Sequence, residues 1–272
     1  MIMMILVVKI GGSILRQGAS DGFVSDFKNV LKENRAVLVH GGGVEVTEMA
    51  SRLGKDQNFI VSPDGFRSRY TDKDTAEIYS MVMSGKINKH VVLALQSQGI
   101  PAVGLSGLDG PLLKAERKKR LIAVDERGRK RVVDGGYTGR ISHVNADLLQ
   151  LLIRSGYLPV VTPVAMSEEF EPLNVDGDRT AACIAGALNA DRLVLLTDVE
   201  GLILNGKLVP KMTISELKET LSEVGYGMIT KVHAALEAIN QGVGEVSISS
   251  GLEKLPISSS LKHGSGTVIT RE

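Results

Sequence analysis

The amino-acid sequence predicts an α/β fold in which helices cover a mostly parallel central sheet. Short runs of branched apolar residues alternate along the chain with segments of helical spacing, as they do in such folds. Two of these runs, residues 5–10 and 36–40, lead through glycines directly into a helix. Glycine turns at the carboxyl ends of parallel strands are where open α/β sheets bind ligands. We therefore expect the functional site where these two turns meet.

Composition narrows the class of protein. The chain has 272 residues, a formal net charge of +1, five tyrosines, five phenylalanines and no tryptophan. This length suits one large α/β domain or two lobes. The near-neutral charge argues against a general polyanion binder, and the scarce aromatic residues argue against a base-stacking RNA platform. The single cysteine, Cys183, excludes an internal disulfide and a cysteine-based zinc cluster.

The apolar N-terminal run does not have the pattern of a signal peptide, because it lacks a basic region and a lysine and two glycines end it. No other stretch is long enough for a membrane span. We therefore expect a cytoplasmic protein that binds neither membrane nor nucleic acid.

The first strand ends in Lys9, and Gly11 and Gly12 follow at once. A lysine in a buried strand is costly unless an anion pairs with it. The glycines expose backbone N–H groups where the strand gives way to a helix. One hypothesis is that Lys9 faces a phosphate, and the other is that its side chain extends into solvent at the strand end. The strand alone leaves both open.

The remaining elements follow in alternation. Helical spacing predicts helices over residues 21–32, 45–53, 71–83, 86–98, 145–155, 180–188, 215–222 and a long one ending at 241. Apolar runs predict further strands at residues 101–105, 158–164, 192–196, 245–249 and 266–270, and a hairpin over 202–209. Thr71 is the expected N-cap of its helix. Residues 59–70 are expected to be irregular, with Arg67 and Arg69 either gripping a carboxylate as a fork or forming a solvated basic pair.

The middle of the chain concentrates positive charge. Two short β-prone runs flank a plausible hairpin turn at residues 125–128. Six basic residues crowd this hairpin: Lys118, Lys119, Arg120, Arg129, Lys130 and Arg131. Such a run is commonly a solvated face, but on a projecting hairpin it also suits docking to an acidic partner. No nucleic-acid-binding motif accompanies it.

Two charged residues stand near helix starts in the last hundred residues. Asp178 precedes a helix of small residues, where an aspartate is commonly only a cap. Lys231 lies near the beginning of the long helix that ends at residue 241, where its charge opposes the helix dipole unless an anion binds there.

Together these residues suit phosphoryl transfer, which needs cations and backbone donors on the transferring group and Mg²⁺ on the nucleotide. The chain has no P-loop, because Lys9 precedes its glycines, and it lacks the protein-kinase motif set. It also has no histidine pair with the spacing of a zinc site.

Seven motifs, in order, resemble the amino acid kinases and within them the acetylglutamate kinase branch. They are KIGG at 9–12, HGGG at 40–43, GFR at 65–67, GKINK at 85–89, NVDGD at 174–178, TDVEG at 197–201 and GMITK at 227–231. The resemblance covers essentially the whole chain. It implies a three-layer αβα sandwich with an N-terminal lobe, residues 1–170, for the carboxylate substrate and for dimerisation. It also implies a C-terminal lobe, residues 171–272, for ATP.

The resemblance also implies roles for individual residues. Lys9 and Lys231 stabilise the transferring γ-phosphoryl group, and Asp178 organises the two ammonium groups. The substrate is held by Gly42, Gly43, Arg67 and Asn174. The nucleotide is held by Gly11, Gly12, Thr197, Asp198, Gly201, Gly225, Gly227 and Met228, with Mg²⁺ bound through ATP instead of through protein side chains.

Two departures point to one subgroup of that branch. Acetylglutamate kinases usually carry a lysine just before the Gly-x-Arg motif, and residues 59–64 have none. The loop also carries a second arginine, Arg69, after Arg67. Together with the basic hairpin, this resembles the subgroup that acts on an acidic amino-group carrier protein of the LysW type. The carrier holds α-aminoadipate or glutamate through its C-terminal glutamate, and the implied pathway is lysine biosynthesis, possibly shared with arginine.

Other functions stay open from the sequence. One is an acetylglutamate kinase acting on the free small molecule, and one of another class is a non-catalytic nucleotide-binding regulator. A uridylate kinase fits less well, because Arg67 and Asn174 suit an amino-acid carboxylate better than a nucleotide acceptor. The sequence does not decide between aminoadipate and glutamate, or the oligomeric state.

Overall fold

The computed structural model describes residues 3–16, 21–63, 65–125 and 127–272. Its strands are β1 (Met4–Ile10), β2 (Asn34–His40), β3 (Phe59–Val61), β4 (Arg67–Arg69), β5 (Ala102–Ser106), β6 (Leu113–Arg117), β7 (Arg120–Val124), β8 (Lys130–Asp134), β9 (Gly139–Val144), β10 (Leu158–Thr162), β11 (Val164–Met166), β12 (Pro172–Asn174), β13 (Arg192–Thr197), β14 (Ile203–Leu204), β15 (Lys207–Leu208), β16 (Lys211–Thr213), β17 (Glu245–Ser250) and β18 (Thr267–Thr270).

The helices are α1 (Gly12–Arg16), α2 (Asp21–Val30), α3 (Gly43–Arg52), α4 (Lys73–Ser80), α5 (Asn88–Ser97), α6 (Ala146–Arg154), α7 (Gly177–Ala187), α8 (Ile214–Glu219), α9 (Tyr226–Asn240) and α10 (Pro256–Leu261). A π-helical segment, Met81–Ile87, joins α4 to α5, and a 3₁₀ turn, Leu221–Glu223, follows α8.

Eight strands form the central sheet in the order β16-β18-β17-β13-β1-β2-β10-β5. The six from β17 to β5 run parallel, and β18 is antiparallel to β17. The strand that carries Lys9 therefore lies in the middle of the sheet, between β13 and β2. The carboxyl ends of β1, β2, β10 and β13 consequently meet at one edge, as the two glycine turns predict.

Helices cover both faces of this sheet because successive residues of a strand point to opposite faces. Val7 and Val39 belong to one core, with apolar residues of α7 and α9. Leu6 and Val8 belong to the other, with Phe23 of α2 and residues of α3 to α5. The fold is thus the predicted α/β sandwich of three layers. Because Lys9 is two residues from Val7, it points towards α7 and α9.

A second sheet and a hairpin extend from the central sheet. The second sheet has the order β12-β11-β6-β9, and the hairpin β7–β8 leaves it between β6 and β9. The hairpin carries the basic residues, and β7 contacts β3. Glu126, in its predicted turn, lies outside the described residues.

The structure corrects several local predictions. Residues 59–69 are not irregular, because β3 and β4 pair antiparallel; Asp64, in the connecting loop, lies outside the described residues. The two helices predicted over 71–98 are one continuous helical run, since the π-helical segment accommodates the glycine at 85. Its N-cap is Asp72, which accepts a hydrogen bond from the Thr75 N–H, and not Thr71.

The long helix also begins earlier than predicted. Its first residue is Tyr226, with Gly225 as N-cap. Lys231 therefore lies in the second turn, where it does not oppose the free N–H groups of the first turn.

The two glycine turns touch each other. The Gly41 N–H donates to the Ile10 carbonyl, with 3.0 Å between nitrogen and oxygen. A Cβ added to Gly12 would lie 2.8 Å from the amide nitrogen of Gly42 and 2.9 Å from its Cα. Only glycine at position 12 allows this approach, because a side chain there would meet backbone atoms.

Replacement of Gly12 and of Gly11 tests this contact. We expect Gly12→Ala to lower the free energy of unfolding by about 1–3 kcal/mol, the usual cost of overpacking. Gly11→Ala is the matched control, since the nearest atom to its added Cβ would be the Leu196 carbonyl oxygen at 3.6 Å. We expect it to change the free energy by less than about 0.5 kcal/mol. Urea unfolding measures both, and equal losses would contradict the proposed contact.

Candidate active site at the carboxyl ends of the central strands

Two lysines share one buried carboxylate at the centre of the site. Lys9 Nζ lies 2.5 Å from Asp178 Oδ1, and Lys231 Nζ lies 3.2 Å from Asp178 Oδ2. Lys9 comes from the end of β1, Asp178 from the first turn of α7 and Lys231 from α9. Only 7% of Lys9 is exposed. The structure thus brings together three residues that are 169 and 53 positions apart in the sequence (178 − 9 and 231 − 178).

The charges of this group are interdependent. Burial alone favours the neutral form of Asp178, but the ammonium groups of Lys9 and Lys231 outweigh burial and hold the pKa of Asp178 below its usual value. Asp178 is therefore ionised at neutral pH and carries one negative charge between two positive ones. The surplus positive charge is available to an anion that enters the site.

Backbone donors lie beside the lysines. Gly42 is the N-cap of α3 and Gly43 its first residue, so their N–H groups stand at a helix N-terminus. No side chain of the described part of the chain caps this end. Arg69 supports the loop from behind, because its Nη2 donates to the Gly43 carbonyl at 2.7 Å and to Thr47 Oγ1 at 2.9 Å.

Arg67 and Arg69 do not form a carboxylate fork, and they are not a solvated pair. Arg69 is buried, and its other terminal nitrogen donates to Gln57 Oε1 at 2.5 Å. Arg67 is exposed, and its Cζ lies 3.9 Å from the centre of the Phe59 ring. Arg69 is thus largely committed to protein partners, whereas no hydrogen bond or ion pair engages the Arg67 guanidinium within the described residues.

A cleft of about 490 Å³ adjoins Lys9 and Asp178. Gly42, Gly43, Arg67 and Asn174 also line it. Asn174, in β12, donates from Nδ2 to Thr71 Oγ1 at 2.9 Å, which fixes its carboxamide. The cleft runs between the β3–β4 hairpin and the second sheet, and it is large enough for an amino-acid-sized acceptor.

His40 and Asn88 hold the second glycine turn in place. His40 is fully buried; its Nδ1 lies 3.0 Å from the Gly41 carbonyl oxygen and its Nε2 lies 3.1 Å from Asn88 Nδ2. Burial lowers the pKa of His40 to about 4, against the opposing hydrogen bond to Gly41. The ring is thus neutral at pH 7, with Nδ1–H donating and Nε2 accepting. Asn88, in the GKINK motif, also donates to the Val160 carbonyl and so ties α5 to β2 and β10.

The residues predicted for the nucleotide lie in three places: the turn after β1, the turn after β13, and the start of α9. Thr197 ends β13, and its hydroxyl donates to Asp198 Oδ1 at 3.1 Å. Gly201 is tightly packed, since an added Cβ would lie 2.8 Å from Leu208 Cδ1 and from Thr267 Oγ1. Gly225 and Gly227 face open space at the start of α9, whereas Met228 packs against the core. The first turn of α9 thus offers backbone N–H groups to a phosphate-bearing ligand, and the residues fit a nucleotide there.

The basic hairpin divides into two parts. Lys118 lines the cleft, whereas the other predicted docking residues, Lys119, Arg120, Arg129, Lys130 and Arg131, lie outside it and are exposed. Asp125 Oδ2 lies 2.9 Å from Arg129 Nε and 3.4 Å from Arg131 Nε, so it partly neutralises both arginines.

Three charged residues of the cleft were missed by sequence reasoning: Asp176, Arg140 and Arg179. Asp176 caps α7 by accepting from the Arg179 N–H, a local pattern that the sequence does contain. Arg140 is the second residue of β9 and reaches the cleft only because β9 pairs with β6.

Among the described residues, no group of three histidine, cysteine, aspartate or glutamate side chains is arranged to hold a metal ion. No helix in the described ranges combines the length and apolar character needed to cross a bilayer.

The chain resembles members of one protein family in sequence, and it resembles solved structures in fold. The model of the amino acid kinase family matches residues 4–250. A relative from Nitrosopumilus maritimus is 47% identical over 98% of this chain and 100% of its own length. A relative from Saccharolobus solfataricus, "[LysW]-aminoadipate/[LysW]-glutamate kinase", is 44% identical over 97% of this chain and 98% of its own.

Solved structures share the fold. Carbamate kinase from Giardia lamblia, bound to citric acid, has a TM-score of 0.70 at 16% identity and covers 99% of both chains. N-acetylglutamate synthase from Neisseria gonorrhoeae has a TM-score of 0.81 at 23% identity, over 99% of this chain and 60% of that one.

The neutral state of His40 predicts a pH dependence of stability. The pKa of a histidine in the unfolded chain is about 6.5, so between pH 6.5 and about pH 4 the unfolded chain binds a proton that the folded chain does not. The free energy of unfolding should therefore fall as the pH is lowered through this range, by up to about 3 kcal/mol from this group.

His40→Gln removes this titration and keeps a side chain that can hydrogen-bond. We expect its urea-measured free energy of unfolding to fall less steeply than that of the wild type between about pH 7 and pH 4. His143→Gln, at an exposed position of β9, is the control for the exchange of histidine for glutamine. Equal slopes for His40→Gln and wild type would contradict a neutral, buried His40.

Proposed function

The chain belongs to the amino acid kinase family, and on that premise we propose that it phosphorylates the distal carboxylate of α-aminoadipate, of glutamate, or of both, on an amino-group carrier protein. The product is an acyl phosphate. ATP is the phosphoryl donor, and Mg²⁺ reaches the site with the nucleotide. The relatives that carry this activity in their names match almost the whole chain, so the proposal extends to the chain as a whole.

The observation that carries the proposal is the pair of lysines held on Asp178 beside the acceptor cleft, which Lys9 and Asp178 line. Phosphoryl transfer asks little covalent chemistry of a protein and much electrostatic stabilisation. Lys9 and Lys231 supply positive charge to the equatorial oxygens of the γ-phosphoryl group, and Asp178 keeps the two ammonium groups apart and correctly placed. The N–H groups of Gly42 and Gly43 supply further donors on the acceptor side.

In the proposed step, an oxygen of the acceptor carboxylate attacks the γ-phosphorus. A new O–P bond forms as the bond from phosphorus to the β,γ-bridging oxygen breaks, and ADP leaves with that electron pair. The acceptor carboxylate is already ionised at neutral pH, so no general base is needed. Mg²⁺, when bound with ATP, neutralises charge on the phosphates. The N-terminal lobe, residues 1–170, holds the acceptor, and residues 171–272 hold the nucleotide.

Arg67 and Asn174 orient the acceptor. The Arg67 guanidinium has free donors and suits an α-carboxylate, and the fixed carboxamide of Asn174 suits an amide group. The nucleotide is bound by the turn at residues 197–201, by Gly11 and Gly12, and by the first turn of α9.

The β7–β8 hairpin is the proposed docking surface for the carrier. Its exposed basic residues, Lys119, Arg120, Arg129, Lys130 and Arg131, surround the cross-strand pair Ile122 and Val132, which are 51% and 67% exposed. A mixed apolar and cationic surface suits an acidic protein, because opposite potentials raise the association rate and set orientation. The proposal also includes a homodimer through the N-terminal lobe, a cytoplasmic location, and service to lysine and arginine biosynthesis.

The acceptor can be identified directly. We expect the purified enzyme, given ATP and Mg²⁺, to form a hydroxylamine-trapped acyl phosphate on carrier-borne aminoadipate or glutamate, and far less on N-acetylglutamate. The Lys231→Ala variant should lower kcat by a factor of about 100 or more, since it removes a cation that acts in the transition state. Lys218→Met, at an exposed position of α8, is its control.

Each alternative has its own outcome in this assay. Preferred turnover of N-acetylglutamate would identify an acetylglutamate kinase. Turnover that survives Lys231→Ala would contradict the assigned role of the lysine pair. Nucleotide binding without any acyl phosphate would identify a regulator.

Charge reversal on the hairpin tests the docking surface. We expect Lys119→Glu with Lys130→Glu to raise KM for the carrier-borne acceptor roughly tenfold at low salt, the lower end of electrostatic steering effects. The salt dependence of kcat/KM should flatten, and kcat should stay near the wild-type value, because neither residue lines the cleft. Lys262→Glu, exposed after α10, is the control. An unchanged KM for the carrier-borne acceptor in the hairpin variant would contradict the docking hypothesis.

A further inference from the structure

A second set of cations lies in the acceptor cleft, apart from the lysine pair. Lys118, Arg140 and Arg179 all line the cleft. They come from three different elements, because Lys118 follows β6, Arg140 is in β9 and Arg179 is in α7. None of them belongs to the group that Asp178 holds together.

Strand pairing places two of them side by side. Arg117 pairs with Gly139, and the Lys118 N–H continues the ladder by donating to the Thr138 carbonyl at 2.9 Å. Lys118 is thus opposite Thr138, and Arg140 is two residues farther along β9 on the same face. Such diagonal neighbours are close enough for long side chains to reach one point.

The third cation is already oriented. Arg179 Nε donates to Glu237 Oε2 at 3.0 Å, and its Nη2 donates to Glu237 Oε1. This pairing leaves the Nη1 edge of the guanidinium for another acceptor. Within the described residues, the side chains of Lys118 and Arg140 make no hydrogen bond or ion pair, although Glu116 stands opposite Arg140 in the ladder.

These charges repel one another. Burial, and then the charges of Arg179 and Arg140, lower the pKa of Lys118; Asp176 and Glu237 oppose this effect. The repulsion disappears when an anion binds between the cations. The set therefore has the charge and the free donors of an anion-binding subsite.

The surroundings indicate what the anion belongs to. Apolar side chains of Leu121, Ile122 and Ile141 line the same cleft. A ligand that reaches from the Lys9 end to these cations is thus elongated, with an apolar middle and a charge at each end. The subsite also adjoins the base of the β7–β8 hairpin, on the path from a docked carrier to the lysine pair.

We propose that Lys118, Arg140 and the free edge of Arg179 bind a second carboxylate of the acceptor, on the carrier side of its amide bond. This inference rests on the proposed function and names three specificity-determining residues. An acceptor that has a carboxylate beyond the amide bond should therefore bind more tightly than an acceptor with a neutral group at that position.

A binding cycle tests the subsite. The ligands are N-glutamyl-α-aminoadipate, in which one glutamyl carboxylate is free, and its analogue with that glutamyl carboxylate converted to a primary amide. In calorimetry with a non-hydrolysable ATP analogue present, we expect the amide to bind the wild type about 10–100-fold more weakly, as for a lost charged hydrogen bond. In Arg140→Gln, and separately in Lys118→Met, the two ligands should differ by less than threefold, since the carboxylate has lost its partner.

Lys114→Met is the matched control, because Lys114 is exposed on the same face of β6 but does not line the cleft. It should keep the wild-type ratio. A wild type that binds both ligands equally, or binds neither, would overturn the subsite, as would variants that keep the wild-type ratio. The hydroxylamine assay reports on the proposed function separately. If the enzyme turns over the carrier-borne acceptor but binds the carboxylate ligand and its amide analogue equally, only the subsite is rejected.

Discussion

The contact on which the site depends is the sharing of Asp178 by Lys9 and Lys231. Two ammonium groups close together in a low-dielectric cleft repel each other, and one carboxylate offsets that repulsion without cancelling the net positive charge. Arg179, the next residue, adds a second tie from α7 to α9 through Glu237. Because consecutive residues of α7 contact two points of α9, Lys231 is held beside Asp178.

This arrangement requires that the backbones of the two glycine turns approach each other closely at the strand ends. Gly12 lies against Gly42, and a Cβ at either position would displace neighbouring atoms. Behind the turn, the buried His40 and Asn88 fix the Gly41 carbonyl, and Arg69 fixes that of Gly43. The residues nearest the chemistry are thus small, and the residues that hold them are large and polar. The motif residues His40 and Asn88 therefore have a positioning role, which explains a buried histidine that does not line the cleft.

The fold class, the central place of the Lys9 strand and the meeting of the two glycine turns could be predicted from the sequence, because they follow from local periodicity and from the rule that parallel strands end together. The convergence of Asp178 and Lys231 on Lys9 came from the family resemblance, since no local pattern relates residues so far apart. Arg140 and Arg179 were missed for the same reason: each looks locally like a solvated cation, and only β6–β9 pairing and the packing of α7 bring them to Lys118. The β3–β4 strands were missed because three-residue strands carry too little periodicity.

Selectivity in this cleft follows from where its charges lie. Aminoadipate and glutamate differ by one methylene, which a pocket distinguishes by only about 1–3 kcal/mol. A wall made of a two-stranded hairpin, with Phe59 and Arg67 at its edge, adjusts to that difference more easily than a wall of the central sheet. A misplaced or missing carboxylate costs more, because it leaves cations unpaired in a partly buried site. With the proposed cation subsite at one end and Lys9 at the other, the cleft would select the class of acceptor by charge and tolerate variation in the length between the charges.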